Sequence, residues 1–182
     1  MQRERLTSPQ ILIAFDDPDS GPPRWLSVDA LRATTAHSST PREPGHEILD
    51  SVGFGPFHIG PHETLEVVVR VGRGIATYGP AFAHWAALAG SSDAALSQFL
   101  IAFVGRWPSR AVFAEEVLDD LGLHPESLCP AWLAPFTAID FESLATPLLA
   151  EVTACEDRTG LYVFDTRYPQ RCEFRNSPTR RP

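Results

Sequence analysis

The chain contains no lysine: all 15 of its basic residues are arginine. A P-loop needs a lysine to reach the terminal phosphates, so nucleotide hydrolysis of that kind is excluded. Cysteine is scarce, with Cys129, Cys155 and Cys172 widely spaced and no C-x-x-C among them. An odd number at such spacing gives neither a disulfide framework nor a zinc site, and reads as free thiols in a reducing compartment. No Gly-x-Ser-x-Gly marks a hydrolase elbow. Long apolar runs are missing too. The longest uncharged stretch, Gly74–Ser92, is broken by Gly79, Pro80, His84 and Gly90, whereas a bilayer span needs roughly 20 mainly apolar residues. Arg3, Glu4 and Arg5 precede only the short apolar run Ile11–Phe15, which does not read as a secretory signal. These absences point to a soluble cytoplasmic protein without a membrane segment.

What is present is a globular composition, 43% hydrophobic and 21% charged, with enough chain for one substantial core or a few small lobes. Net charge is −8 over 182 residues, and it is unevenly spread. Met1–Arg110 carries 11 acids against 9 arginines, Ala111–Asp165 carries 11 acids against Arg158 alone, and Thr166–Pro182 carries five arginines against Glu173. Asymmetry of this kind marks an electrostatic function or a charged tail.

Pattern along the chain gives an α+β protein without internal repeats. Gln10–Phe15 reads as a strand, Asp16–Pro23 as a turn, and Arg24–Val28 as the returning strand. Val28–Arg32 opens a short helix, Ala36–Gly45 reads as loop, and His46–Val52 as a strand closed by Gly53-Phe54-Gly55-Pro56. Leu65–Tyr78 is ambiguous. Val67, Val69 and Val71 alternate as in a strand, while Leu65, Val68, Val69, Ile75 and Ala76 fit a helical stripe. Ala81–Leu88 and Ala94–Val104 read as helices separated by a cap at Ser92 or Asp93. Phe113, Val117 and Leu121, with Ala114 and Leu118 beside them, predict an amphipathic helix stopping at Gly122. Phe141, Leu144, Ala145, Leu148 and Leu149 predict another, which Pro147 should kink or restart. Leu161–Phe164 is the final strand, and the Arg- and Pro-containing tail beyond Tyr168 is expected to be disordered.

Motifs for catalysis are incomplete. His62-Glu63-Thr64-Leu65-Glu66 begins like the zinc-protease motif, but Glu66 stands where the second histidine is required. Gly72 and Gly74 follow a possible strand, yet Thr77 occupies the third glycine position of a dinucleotide turn. His124 lies five residues before Cys129, a spacing that by itself assembles no nucleophile–base pair. The sequence thus predicts no enzyme, no cofactor and no metal.

The acidic third carries the stronger signal. Glu115/Asp119 and Glu116/Asp120 are like-charge pairs at i,i+4, each costing roughly 0.2–0.5 kcal/mol of helix stability. Nothing cationic up to Arg158 offsets them locally. Glu126, Asp140, Glu142, Glu151, Glu156 and Asp157 continue the same sign. A basic groove on a partner would be steered to such a surface, and DNA-binding grooves are strongly basic. One helix cannot imitate DNA by itself. Four acids over a helix of roughly 16 Å give about one charge per 4 Å, against about one per 1.7 Å in duplex DNA. Several acidic segments or two subunits would have to pool their charge.

The order of landmarks resembles the ArdA family of antirestriction proteins over roughly two-thirds of the chain. The shared features begin with an early Arg24-Trp25, then Ile48-Leu49-Asp50 leading into Gly53-Phe54-Gly55-Pro56, and Glu63–Leu65 opening a stretch that ends at Tyr78-Gly79. They continue through Phe103-x-Gly105-x-Trp107-x-Ser109, Phe113-Ala114-Glu115-Glu116-Val117-Leu118, Ile139-Asp140-Phe141-Glu142-x-Leu144-Ala145 and Gly160-x-Tyr162-Val163-Phe164. The resemblance implies an elongated α+β protein of three small lobes. These are an N-terminal β-sheet lobe (1–61), a helical middle lobe (62–109) and an acidic C-terminal lobe (110–168) that makes a homodimer, followed by the arginine tail (169–182). It implies helix for Glu63–Tyr78. It also implies a surface that mimics bent B-form DNA and fills the DNA groove of type I restriction-modification enzymes. No catalytic residue, cofactor or direct nucleic-acid binding comes with it. On that reading Glu115, Glu116, Asp119, Asp120, Glu126, Asp140, Glu142, Glu151, Glu156 and Asp157 form the partner-binding surface. Val67–Arg110 departs from the pattern, carrying Arg70, Arg73, Arg106 and Arg110 against Asp93 alone.

Overall fold

The computed structural model describes residues 8–17, 20–37, 45–124, 130, 132–133 and 138–167. The chain is an α+β protein with two small antiparallel sheets. It divides into two compact units, Met1–Phe99 and Leu100–Pro182, so residues on both sides of position 61 belong to one unit. The tail beyond Tyr168 lies outside the described residues.

In the first unit β1 (Gln10–Phe15) is the centre of a three-stranded sheet, flanked by β2 (Arg24–Ser27) and β3 (His46–Val52). Alternation along β1 turns Ile11 and Ile13 inward, both fully buried, as a period of two requires. The β1–β3 register shifts between Leu12 and Ile13. Ser27 then starts α1 (Val28–His37), its hydroxyl accepting from Ala30 N–H at 3.3 Å. This side-chain cap fixes the start at Val28, and the short helix expected over Val28–Arg32 runs five residues further, to His37.

The ambiguous segment is a helix, α2 (Leu65–Tyr78), capped by Thr64. Leu65, Val68, Val71 and Ile75 are buried on one face. Burying such a side chain is worth roughly 1.5–3 kcal/mol. The helix penalty is about 0.5 kcal/mol for each valine and about 1 for each of Gly72 and Gly74. Tertiary burial therefore decides against the strand.

The two glycines, read along the chain as an incomplete phosphate turn, are packing positions. A Cβ at Gly72 would stand 2.3 Å from Val28 Cγ2 of α1, and one at Gly74 would stand 2.2 Å from the Phe82 ring. Phe82 belongs to α3 (Pro80–Ala89), which packs on α2. Next comes α4 (Asp93–Ser97), capped by Ser92, with Trp85 Nε1 donating to the Ala95 carbonyl at 3.0 Å.

A single helix over Ala94–Val104 does not form. It breaks into α4 and α5 (Phe99–Ala102), and Phe103 and Val104 enter the strand β4 (Phe103–Trp107). The cause is non-local. β4 pairs with β6 (Gly160–Phe164), so Phe103 lies opposite Phe164 and Trp107 opposite Leu161.

The second unit is built on the sheet β4-β6-β5, with β5 spanning Thr153–Asp157, a strand the sequence pattern does not reveal. Against it lie α6 (Arg110–Asp120) and α7 (Phe141–Leu149), packed on each other. Phe113, Leu161 and Val163 form the core, joined by Trp107, Val117, Leu148, Leu149 and Val152. The Trp107 ring meets Phe113 edge-on at 4.9 Å. On the opposite face of β6, Phe164 packs on Phe103 at 5.6 Å. Pro147 does not restart its helix: it sits in the last turn of a continuous α7, where only the Ser143 carbonyl loses a donor. Leu121, expected in the apolar stripe of α6, is 64% exposed because the helix ends at Asp120. Gly160, at φ +142°, admits no side chain, since a Cβ would stand 2.4 Å from the Trp107 carbonyl oxygen.

Gly→Ala in an exposed helix gains about 1 kcal/mol. Here Gly74→Ala and Gly72→Ala are each expected to lose about 1–3 kcal/mol, the cost of overpacking. Urea unfolding of the two variants measures this, and a rise in stability would contradict the packing described.

Candidate functional site

The sequence-derived acidic residues are held by α6, α7, the edge strand β5 and the turns between them. Helix α6 starts at a Ser109 cap, whose hydroxyl accepts from Val112 N–H at 3.3 Å. It ends in two bonds, Leu123 N–H to the Leu118 carbonyl at 2.8 Å and Gly122 N–H to Asp119 at 2.9 Å, with Gly122 at φ +68°. This is the Schellman arrangement, which a glycine permits at low cost. The stop at Gly122 is where the sequence places it. Phe113, Ala114 and Leu118 are buried, which turns Glu115, Glu116, Asp119 and Asp120 to solvent.

Half of the ten residues have structural employment. Trp107 Nε1 donates to Glu116 at 2.8 Å. Asp140 caps α7, accepting from Ser143 N–H at 3.1 Å and from the Ser143 hydroxyl at 2.6 Å. Those Ser143 bonds hold the Asp140 carboxyl below its ordinary value, because they favour the charged form. Asp157 accepts from the Thr159 amide and hydroxyl at 2.7 and 2.6 Å, bracing the β5–β6 turn. Glu156 pairs with Arg110 at 3.0 Å, and Glu151 with Arg167 at 2.6 Å. Arg167 also reaches Asp165 at 3.3 Å.

The remainder have less to do. Among the described residues Glu115, Asp120 and Glu142 make no ion pair, and Asp119 faces only His124 Nδ1 at 3.3 Å. Glu126 lies outside the described residues. Glu142 sits in the first turn of α7, where the helix dipole favours a carboxylate. Asp119 and Asp120 sit in the last turn of α6, which contains no base. There the dipole disfavours each by roughly 0.3–1 kcal/mol. Asp119 and Asp120 therefore sit where they reduce stability.

Two features could not be read along the chain. Arg110 and Arg167 fold back onto the acidic segment from outside its limits and pair with Glu156 and Glu151, while among the described residues no arginine pairs with the four acids of α6. Arg110 and Glu156 are 46 positions apart, and only the pairing of β5 against the rest of the unit brings them together. Of the middle arginines, Arg70 is bound by Glu66 and Asp93 at 2.7 and 3.1 Å. Arg106 donates to the Thr159 carbonyl and lies over the Tyr162 ring. The described part of the second unit holds ten carboxylates and four arginines, a net −6.

The chemical candidates fare differently. Cys155 is half-buried, and burial pushes its thiol up, away from the thiolate a nucleophile needs. Cys129 and Cys172 lie outside the described residues, and with Cys129 the His124–Cys129 spacing. His62 and Glu63 stand just before α2 and share no helix face. Among the described residues no cluster of His, Cys, Asp or Glu is placed to hold a metal ion, and no helix is long and apolar enough to cross a membrane. Comparison with protein-family models, curated proteins and solved structures finds no match to the chain.

The two kinds of acid have opposite effects on stability. Glu115→Gln with Asp120→Asn should stabilise the second unit by a few tenths to about 1 kcal/mol at low ionic strength, shrinking as salt is added. Asp140→Ala should destabilise it. The Asp140 carboxyl is depressed in the folded state, so its contribution is present above the unfolded carboxylate pKa and disappears as pH falls through the folded one. Urea midpoints of wild type and Asp140→Ala should therefore converge on acidification; a gap that stays constant would contradict the capping assignment.

Proposed function

We propose that the chain is a non-enzymatic antirestriction protein that acts by DNA mimicry. On this reading it presents the acidic surface of its second unit to the DNA groove of a type I restriction-modification enzyme. It works in the cytoplasm as a homodimer, since one α6 is too sparsely charged to stand in for DNA. It binds no nucleic acid itself and takes no cofactor. The observation that carries the reading is the placement of Asp119 and Asp120 in the last turn of α6, uncompensated by any base in that turn. An ordinary solvated face would gain stability by exchanging them. The ordered landmarks shared with the ArdA family, from Ile48 to Phe164, supply the partner.

A second reading keeps the fold as an acidic protein–protein interaction module with a different partner and no DNA mimicry. It is favoured by Arg110 and Arg167, which seat themselves on Glu156 and Glu151 and dilute any continuous track of charge.

Purified chain added to a type I enzyme at low salt should inhibit both methylation and cleavage of DNA. Glu115, Asp119, Asp120 and Glu142 are the acids to neutralise together, because none of them caps a helix or holds an arginine. Single amide substitutions should weaken inhibition roughly two- to fivefold, and the four together on the order of a hundredfold. Absence of inhibition by the wild type would refute mimicry. Inhibition that survives the fourfold change would remove the acidic surface from the mechanism.

A further inference from the structure

The first unit has a groove of about 440 Å³ along α2, walled by Val69, Arg70, Arg73, Thr77, Tyr78 and Phe82. This volume falls in the range of small-molecule sites. Its lining residues recur every three or four positions on α2, so one helix face makes one side of it. Gly74 contributes no side chain, and the Phe82 ring lies against its backbone.

The chemistry of the walls is asymmetric. Arg70 is tied to Glu66 and Asp93, and these three side chains together carry a net charge of −1. Arg73 is exposed and makes no ion pair among the described residues. The Thr77 hydroxyl donates to the Arg73 carbonyl at 2.9 Å, which leaves its oxygen free to accept. Tyr78 is 43% exposed although its ring is held by Phe82 at 5.9 Å and Phe99 at 4.9 Å. The groove therefore joins a fixed aromatic platform to a guanidinium without a counterion. Their positions are five residues apart, about 7–8 Å along the helix axis.

We propose that this groove binds a small aromatic carboxylate: the ring stacks on Tyr78, and the carboxylate takes a forked pair of hydrogen bonds from Arg73. An arginine suits this geometry because its planar donors match both carboxylate oxygens. A ligand with the ring but no charge leaves the guanidinium unanswered. One with two or more negative charges meets Glu66 and Asp93 beside it, so a single carboxylate is selected. The groove is open to solvent, which sets the affinity at roughly millimolar. The site is independent of the acidic surface of the second unit.

Fluorine NMR of 4-fluorophenylacetate, added to the full chain at neutral pH, tests this. The ligand signal should broaden with protein, and the broadening should fall at least severalfold in Arg73→Gln and in Tyr78→Ala. Arg158→Gln, in the other unit, should leave it unchanged. The neutral analogue 4-fluorophenylacetamide should broaden far less than the acid. Because Arg73 is exposed, Arg73→Gln should keep the wild-type circular dichroism, so loss of broadening reports binding and not unfolding. No broadening at roughly ten times the expected dissociation constant, or broadening equal for acid and amide or for wild type and Arg73→Gln, overturns the proposal.

Discussion

Strand β6 has no exposed face. Leu161, Tyr162, Val163 and Phe164 are each buried to within one per cent, with α6 and α7 over one side and Phe103 and Arg106 against the other. A charge in that strand would be desolvated without a partner, at a cost of several kcal/mol. The second unit must therefore carry its carboxylates on the elements around β6: the outer surface of α6, the two ends of α7, the edge strand β5 and the turns. Burial of this one short strand excludes charge from it and leaves the surrounding elements as the places where charge can stand. Gly160 belongs to the same constraint, because the turn into β6 passes too close to the Trp107 carbonyl for any side chain.

Among the displayed acids, the effects on folding separate two populations. Asp140 and Asp157 close hydrogen bonds to backbone that would otherwise lack a partner, and Glu116 fixes the Trp107 indole beside the core. Those three would be retained in a protein with no partner at all. Glu151 and Glu156 bind arginines at the surface, where such pairs contribute between nothing and about 1 kcal/mol. Glu115, Asp119 and Asp120 work against the helix that carries them, through like-charge spacing and the helix dipole. A purely solubilising role would be met equally well by charges placed elsewhere. The proposed partner-binding surface therefore centres on α6, with Glu142 added from α7.

Much of the fold was legible where local chemistry decides it. The strands Gln10–Phe15 and His46–Val52, the cap at Ser92 or Asp93, the stop at Gly122 and the strand ending at Phe164 each have a signal within a few residues. Legibility failed where the deciding partner is distant. Nothing near Phe103 announces that Phe164 will draw it into a sheet, and β5 lacks the alternation that marks a half-buried strand. Leu65–Tyr78 could be read both ways because its valines satisfy both periods; burial against α1 and α3 settled it. The acidic surface was legible as composition, since the excess of 11 acids over one arginine is visible directly. The pairing of Glu156 and Glu151 with Arg110 and Arg167 was not, because ion pairs between distant segments leave no local trace.

The central claim is that the second unit works through pooled, solvent-exposed charge. The most direct measurement is the affinity of the chain for the DNA-binding subunit of a type I restriction-modification enzyme as salt is raised from roughly 50 to 200 mM. A charge-driven complex should lose on the order of tenfold to a thousandfold in affinity over that range, linearly in the logarithm of salt, with DNA displacing the chain. Affinity that stays flat with salt, or a complex that forms alongside bound DNA, would contradict the account.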